Sequence, residues 1–251
     1  MNAAKKKSRD GVAPVVVMEN AGRSFGSQVV LADLNLTVSS GEMVGVVGPN
    51  GGGKSTLLLL MSGLLRPTTG RVAVCGIEAY ALSLTAAGSV GLVTARPGLY
   101  LLLTGRENLR HFGGLFGLSP REVDEKAGPL TRALALTTGL DERVGQLSTG
   151  MQQKLSLIRA LLLTPKLLLF DEPTANLDPL AAGVLYAEVR KRADEGLACV
   201  LATHDLSAAE AVCDRVLLLD GKVKRELEFT DRRAPRTGPL LKAWQEPIGG
   251  R

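Results

Sequence analysis

The sequence of 251 residues has little that would place it in a membrane or in a secreted class. No apolar run approaches the roughly 18 to 20 residues that a helix needs to span a bilayer. The charged residues near its start are not followed by the apolar region of a secretion signal. We therefore expect a soluble, unsecreted chain.

Cysteine and histidine are both scarce, with three residues and two residues respectively. Cys75, Cys199 and Cys213 lack metal-ligand spacing and cannot all pair with one another, which favours small buried side chains in a reducing compartment. His111 and His204 are far apart in the sequence, so a zinc site is not expected.

The net charge of +5 is carried by the two ends of the sequence. Residues 1–14 carry +3 and residues 222–251 carry +4, which leaves −2 on the segment between them. A basic tail can attract an anionic membrane surface or a nucleic acid, but solvated end segments are the simpler interpretation.

A glycine-rich segment, GPNGGGKST at residues 48–56, follows the apolar run 43–47 and precedes a run of leucines. Its spacing predicts a P-loop, in which backbone N–H groups wrap the phosphates of a nucleotide at a helix N-terminus. The glycines at 51–53 are expected to take positive φ. Lys54 is expected to reach the β- and γ-phosphates, and Ser55 to offer its hydroxyl to Mg²⁺. The predicted nucleotide ligands here are Gly48, Pro49, Asn50, Gly51, Gly52, Gly53, Lys54, Ser55 and Thr56.

The rest of the sequence alternates predicted strands and helices. Apolar or alternating runs predict strands at 15–18, 34–38, 71–75, 90–93, 167–170 and 198–203, and a hairpin at 216–223 with a two-residue turn at 220–221. Helical patterns cover 106–118, 120–136 and 148–163. The run Leu167–Phe170 is apolar throughout, which is typical of a strand buried on both faces of a parallel sheet.

Two carboxylates, Asp171 and Glu172, follow that apolar strand directly. A strand that ends in acids delivers them to the carboxyl edge of its sheet, where open α/β folds bind ligands. We expect Asp171 to complete the Mg²⁺ shell through water, and Glu172 to polarise an attacking water as general base.

Five motifs in sequence order resemble those of the ATP-binding subunit of ABC transporters. They are the P-loop, LSTGMQQ at 147–153, the Asp171-Glu172 pair, the segment 175–178 and the lone His204. The resemblance covers about Val15 to Lys224. It implies an α/β fold, a P-loop NTPase of the ABC type with a mostly parallel core sheet, an antiparallel β subdomain and a helical subdomain.

The same resemblance divides the chain into three parts. We predict a basic N-terminal tail at 1–14, an ABC ATPase domain at 15–229 and a C-terminal tail at 230–251. The helical subdomain of the ATPase domain is predicted at about 96–163.

The family implies a head-to-tail dimer that holds two ATP molecules between its subunits. Ser148 and Gly150 begin a predicted helix, where free N–H groups and the helix dipole favour an anion. Because the P-loop already binds one set of phosphates, this second site is expected to face the γ-phosphate on a partner, together with the adjoining Met151. Taken alone, the segment 148–150 could be only a helix cap.

At three more positions, a single residue matches a residue of known role in the family. Phe25 matches the aromatic residue that stacks on adenine, although an isolated phenylalanine is more often core. His204 matches the histidine that contacts the γ-phosphate and holds the attacking water, and Asp178 matches the residue that links the two composite sites.

One position departs from the family pattern. Most relatives have a glutamine after the strand at 90–93, which ligates Mg²⁺ and couples to the membrane subunit, and here Ala95 stands in that place. No glutamine lies nearby in the sequence to substitute for it. Residues 91–109, with the Ser-Thr-Gly-Met segment, look most like the branch that serves exporters of drugs, lipids or polysaccharides.

The resemblance therefore implies an ATPase that uses ATP and Mg²⁺, pairs with a second ATPase subunit as a homodimer, and drives a separate transmembrane permease from the cytoplasmic face of the membrane. The alternative is a soluble ABC ATPase that acts as an assembly or regulatory factor. Binding without turnover is opposed by Lys54, Asp171, Glu172 and His204. No nucleic-acid partner is expected. The chromosome-maintenance relatives have long coiled coils and the translation-factor relatives have two ATPase domains, and this sequence has neither.

Overall fold

The structure is a computed structural model that describes residues 14–82, 88–175 and 177–229. The two predicted tails lie outside these ranges, apart from Pro14, which begins the first strand. Asn176, within the motif at 175–178, also lies outside them. Within the described ranges, no helix combines the length and the apolar character needed to cross a membrane.

The described residues form ten strands and six α-helices. The strands are β1 (Pro14–Phe25), β2 (Gln28–Ser39), β3 (Met43–Val47), β4 (Thr69–Val74), β5 (Ile77–Glu78), β6 (Val90–Thr94), β7 (Leu167–Asp171), β8 (Ala198–Thr203), β9 (Arg215–Asp220) and β10 (Lys222–Glu228). The helices are α1 (Lys54–Met61), α2 (Gly105–Leu115), α3 (Pro120–Ala133), α4 (Thr149–Leu161), α5 (Pro179–Asp194) and α6 (Leu206–Val212).

The larger sheet has the strand order β10-β9-β3-β8-β7-β6. Its strands are parallel except β10, which pairs antiparallel with β9. In register, Val47 lies opposite Thr203 and Asp171 lies opposite both Ala202 and Thr94. The chain segments that follow β3, β8, β7 and β6 therefore leave the sheet side by side at one edge.

A smaller antiparallel sheet, β2-β1-β4-β5, packs with α1 on one face of the larger sheet. Side chains on that face include Leu167 and Leu169, while Leu168 and Phe170 of the same strand face the cluster formed by α2 to α6. All four are fully buried. This confirms the prediction of a strand buried on both faces, and the α/β architecture with an antiparallel sheet and a helical region.

The hairpin of β1 and β2 is longer than the two predicted strands. The pairing continues past Asn20, which takes a positive φ of 45°, because β-bulges absorb the break in the apolar pattern. The turn between β9 and β10 is shorter than predicted. Asp220 pairs with Lys222, so Gly221 alone lies between the strands, at a φ of 68°.

The helices α5 and α6 were not predicted from apolar periodicity, but both carry a start signal in the sequence. Asp178 is the N-cap of α5 and is followed by Pro179 at the first helical position, and Asp205 is the N-cap of α6. An acidic N-cap before proline is a helix-start pattern that sequence reasoning could have used.

Candidate active site

The main chain of the P-loop packs too closely against its neighbours to carry side chains at two positions. A Cβ on Gly48 would lie 2.0 Å from the Leu219 carbonyl oxygen, and a Cβ on Gly53 would lie 2.5 Å from Leu31 Cδ2. Gly53 also has a φ of 94° and is the N-cap of α1. The loop therefore rests on β9 and β2, and the Gly52 N–H donates within it to the Pro49 carbonyl at 3.0 Å.

The prediction of positive φ holds for two of the three central glycines and is wrong for the third. Gly51 (79°) and Gly53 (94°) have positive φ, and Gly52 does not. At Gly52 the restriction is one of space, because a Cβ there would lie 3.0 Å from the Pro49 carbonyl oxygen.

The start of α1 supplies the donors that a polyphosphate needs. Lys54, Ser55 and Thr56 occupy its first turn, where backbone N–H groups have no intrahelical acceptor. The Lys54 ammonium is buried within the loop and donates hydrogen bonds to the carbonyl oxygens of Gly48, at 2.9 Å, and Pro49, at 3.2 Å. Ser55 is exposed at the same end of the helix. A cationic group, free amides and a crowded glycine cradle together fit nucleotide phosphates.

The turn between β9 and β10 braces the P-loop, and no sequence motif indicates this contact. Gly221 donates its N–H to the Gly52 carbonyl at 3.1 Å and accepts from the Ala32 N–H at 2.9 Å. The P-loop, β2 and the hairpin turn are therefore connected through one residue.

The carboxylate of Glu172 is held by β8. Its Oε2 accepts a hydrogen bond from the Thr203 hydroxyl at 3.2 Å and lies 2.9 Å from the Nδ1 of His204. The Glu172 N–H donates to the Ala202 carbonyl at 2.9 Å. Glu172 has a φ of 51°, an unfavourable conformation for a residue with a side chain and one that clusters at functional sites.

The four strand ends surround a cavity of about 560 Å³. Its lining comprises Val47, Gly48, Pro49, Asn50, Ala95, Glu172, Ala175, His204 and Leu206. The structure thus brings together the start of the P-loop, the proposed base Glu172, His204 and Ala95, the position at which the sequence differs from the family pattern. Of the predicted site residues, only Gly48, Pro49, Asn50, Glu172 and His204 are among these lining residues. Those outside the lining are Phe25, Gly51, Gly52, Gly53, Lys54, Ser55, Thr56, Ser148, Gly150, Met151, Asp171 and Asp178.

The protein oxygens available to a metal are few. In the part of the chain that the structure describes, no group of three or more His, Cys, Asp and Glu side chains can hold a metal. Ser55 and Asp171 offer a hydroxyl and a carboxylate, which are hard oxygen donors. This set fits Mg²⁺, which binds through one or two protein groups, substrate phosphates and retained waters.

The LSTGMQQ motif forms the start of α4. Ser148 is the N-cap, and its hydroxyl accepts from the Met151 N–H at 3.3 Å. Ser148 and Thr149 are exposed, and Gly150 lies beside Leu177 at the start of α5. The capping interpretation therefore holds, and the Met151 N–H is taken up by the cap.

The remaining predicted residues lie at the margins of the site. Asp178 caps α5 by accepting from the Ala181 N–H at 2.9 Å. Phe25 is 47 % exposed at the tip of the β1–β2 hairpin, and the Arg23 guanidinium carbon lies 4.6 Å from its ring centroid. Leu31, which pairs with Arg23, contacts Gly53 and so ties this hairpin to the P-loop.

A buried phenol supports the segment after Glu172. Burial raises the pKa of Tyr186 to about 12, against a smaller lowering by its hydrogen bond with Thr174. The Tyr186 hydroxyl lies 3.0 Å from the Thr174 hydroxyl. The phenol therefore stays protonated and holds the residue two positions beyond the proposed base.

Comparison with known proteins places the chain in one family. Residues 31–175, more than half of the chain, match the protein family described as ABC transporter. The chain is 40 % identical over 207 residues to the Nod factor export ATP-binding protein I of Rhizobium sp. (strain N33), covering 82 % of this chain and 68 % of that protein. Across such export proteins the chain spans about two thirds of the relative's length.

Solved structures agree with the fold. One described as the ATP binding subunit of an ABC transporter has a TM-score of 0.82 at 31 % identity, covering 92 % of this chain and all of that one. Another is a dimeric post-hydrolysis state of the ATP-binding cassette MJ0796 bound to ADP and Pi. It has a TM-score of 0.77 at 29 % identity, covering 88 % of this chain and all of that one.

Proposed function

The chain belongs to the ABC transporter family and is an ATPase of that family, and we propose that it dimerises around Mg-ATP and powers a separate transmembrane permease as an exporter. The observation that carries this proposal is the single cavity in which the P-loop, Glu172 and His204 meet at the edge of the core sheet.

The chemistry of hydrolysis follows from these groups. Lys54 and the first-turn amides of α1 would bind and orient the β- and γ-phosphates. Glu172 would accept a proton from the water that attacks the γ-phosphorus, as the bond to the ADP oxygen breaks. The Nδ1 of His204 lies 2.9 Å from the Glu172 carboxylate and would donate to it, which leaves the exposed remainder of the ring for the phosphate and water. Bound Mg²⁺ would neutralise phosphate charge, with Ser55 and Asp171 holding it.

The proposed dimer is supported by the start of α4, which lies outside the chain's own nucleotide cavity. Ser148 and Gly150 stand at the exposed start of α4 and do not line the cavity that contains Glu172. Free amides at a helix N-terminus favour an anion. We assign that anion to the γ-phosphate on a second copy of the chain, which makes each active site composite. The dimeric state of the cassette MJ0796 is consistent with this arrangement.

The transport role is supported by the relatives. Proteins at 33 to 40 % identity are named for Nod factor export, and we extend the class of function, export driven by ATP, to this chain. The membrane-spanning permease would then be a different polypeptide chain. In this proposal the ATPase is peripheral, on the cytoplasmic face of the membrane.

The experiment is to tag the full chain in its source cell, solubilise membranes in mild detergent and identify the proteins that co-purify. We expect a polytopic membrane protein in about equal amount to the tagged chain. The Glu172→Gln variant, with ATP present, should retain it. Recovery of soluble partners alone would overturn the transport role and favour an assembly or regulatory factor.

A further inference from the structure

The loop at residues 95–100 connects the nucleotide cavity to the helical region, and it is held by α4. The Gln153 amide donates from Nε2 to the Thr94 carbonyl at 3.0 Å, where the loop begins. The Arg159 guanidinium donates from Nη1 to the Gly98 carbonyl at 2.8 Å, where it turns away. Two side chains of one helix thus bind main-chain oxygens at two points of the loop.

Ser156 lies between these two donors, so the three positions are spaced by three residues. Such a row forms an inclined ridge on a helix surface, along which a crossing segment can lie. The Ser156 hydroxyl is 3.5 Å from the Pro97 carbonyl oxygen and 3.3 Å from Arg159 Nη2. Gln153 is 2 % exposed and Ser156 is fully buried. The contacts of Gln153 and Ser156 are therefore partly shielded from competing water.

Arg159 is also held from the side of α2. Its guanidinium carbon lies 4.7 Å from the Phe112 ring centroid. Partial burial lowers the pKa of this guanidinium, which still stays charged at physiological pH. A cation that donates to a carbonyl makes a stronger hydrogen bond than a neutral donor does.

The far end of the loop is also bound to a helix. The fully buried Asn108 accepts from the Tyr100 N–H at 2.8 Å and donates to the Tyr100 carbonyl at 3.0 Å. The Tyr100 ring stacks on Phe112 with centroids 5.7 Å apart. These contacts join the loop to α2 and α4 once it has left β6.

We propose that Gln153 and Arg159 are positioning residues that fix the start of α4, with Ser148 and Gly150, relative to the chain's own nucleotide cavity. The loop that they bind begins at Ala95, which lines that cavity. The alanine methyl group cannot hydrogen-bond, so the connection runs through the main chain of the loop. This inference rests on the proposed composite site.

The test compares two variants of Arg159 in the full-length protein. Arg159→Met keeps an unbranched apolar side chain and removes the donor, and Arg159→Lys keeps a charged donor. We expect kcat for ATP hydrolysis to fall about tenfold in Arg159→Met while KM stays within about twofold, a loss in the range of measured coupling effects. Arg159→Lys should recover most of it.

A second readout is independent of turnover. In the Glu172→Gln background, Gln153→Leu and Arg159→Met should weaken ATP-dependent dimerisation about tenfold, measured by light scattering after size exclusion. Binding of a fluorescent ATP analogue to the monomer should not change. Lys154→Met serves as the matched control, because this neighbour on α4 makes no contact with the loop, and it should behave as the parent does.

Two results would overturn the inference. One is parental kcat and dimerisation in both Gln153→Leu and Arg159→Met. The other is a parallel loss of monomer ATP affinity and thermal stability with no recovery in Arg159→Lys, which would mark a purely structural role. A parent chain that neither hydrolyses ATP nor dimerises with it would instead overturn the proposed function, and this inference with it.

Discussion

The carboxyl edge of the core sheet and the helical region formed by α2 to α4 carry the two halves of the proposed site in different ways. At the sheet edge, register places the P-loop, His204, Glu172 and Ala95 on adjacent strands around one cavity. At the start of α4, Ser148 is exposed and Gly150 is partly exposed, and neither lines that cavity. In the proposed dimer, the first half acts within one chain and the second acts on the nucleotide of another copy.

The two regions are also fastened differently. The strands β7 and β8 are buried almost throughout. In the helical region, α2 is linked to its surroundings by partly exposed ion pairs, such as Arg106 with Asp141 at 2.8 Å and Arg110 with Asp124. Exposed pairs of this kind contribute about 0 to 1 kcal/mol each. Burial therefore makes the sheet edge the more rigid half of the site, whereas these ion pairs join α2 to other parts of the helical region.

The largest expected effect belongs to the rigid half. Glu172→Gln should bind ATP but hydrolyse it at least about 100-fold more slowly, because the amide cannot accept the proton of the attacking water. Lys54→Ala should lose ATP binding itself. Single-turnover hydrolysis and equilibrium binding separate the two, with Glu125→Gln on the surface of α3 as the matched control. Parental hydrolysis by Glu172→Gln would contradict the assignment of the base.

The next effect tests whether the helical half acts on a partner. Gly150→Asp should weaken ATP-dependent dimerisation of the Glu172→Gln protein at least about tenfold, since its carboxylate would repel the partner's phosphates. The helix itself should tolerate the change, because a Cβ at this position meets Leu177 at an ordinary 3.7 Å and an acid suits the first turn.

Gly114→Asp on α2 is the matched control, since a Cβ there has no neighbour within 4 Å. Light scattering with ATP and with ADP gives the readout, and ADP should not promote the dimer. Undiminished ATP dimers of the Gly150→Asp protein would exclude this surface from the composite site.

A smaller effect is expected where the two halves meet. Ala95→Gln should change turnover by less than about tenfold, because Mg²⁺ readily keeps waters in place of one protein oxygen. Ser55→Ala should be far more damaging, since it removes a direct ligand.

The measurement is a steady-state ATPase titration against Mg²⁺ on the purified complex. Ala95→Leu controls for side-chain size without adding an oxygen. If Ala95→Gln raises turnover by orders of magnitude and Ala95→Leu does not, the natural site hydrolyses ATP poorly. A binding or regulatory role is then the better interpretation.

The smallest effect concerns acid stability of the helical region. Hydrogen bonds from the capping partners Thr104 and Ser119 hold the pKa values of Glu107 and Glu122 below their ordinary 4.5. A lowered pKa gives stability that is present above pH 4.5 and is lost as the pH falls through the lowered value.

Glu107→Gln, which keeps a capping hydrogen bond but no charge, should therefore lower Tm by about 1 to 2 °C at pH 7. The difference from the parent should vanish on acidification below the lowered pKa. Calorimetry over pH 3 to 7 would show it, with Glu125→Gln as control, and a difference that persists at the acid end would contradict the capping origin.

Local pattern predicted much of the fold. The strand Ala198–Thr203 has the predicted bounds, and the capped helices begin within one residue of their predicted starts. The elements that were not predicted correctly have local causes. Residues 179–194 lack a clean apolar stripe, because α5 mixes exposed and buried side chains throughout its length. The extension of β1 past Asn20 depends on bulges, which apolar alternation does not reveal.

The amino-acid sequence alone predicted the chemical groups of the site: a phosphate loop, two carboxylates after an apolar strand, and a histidine at a strand end. These signals are local, because each is a short motif of neighbouring residues. The contacts that hold these groups came from the three-dimensional fold: Thr203 and His204 hold Glu172, Gly221 braces the P-loop, Gln153 binds Thr94, and Arg159 binds Gly98. Such contacts join residues tens to more than a hundred and fifty positions apart, and they follow from strand order and helix packing, which no local pattern encodes.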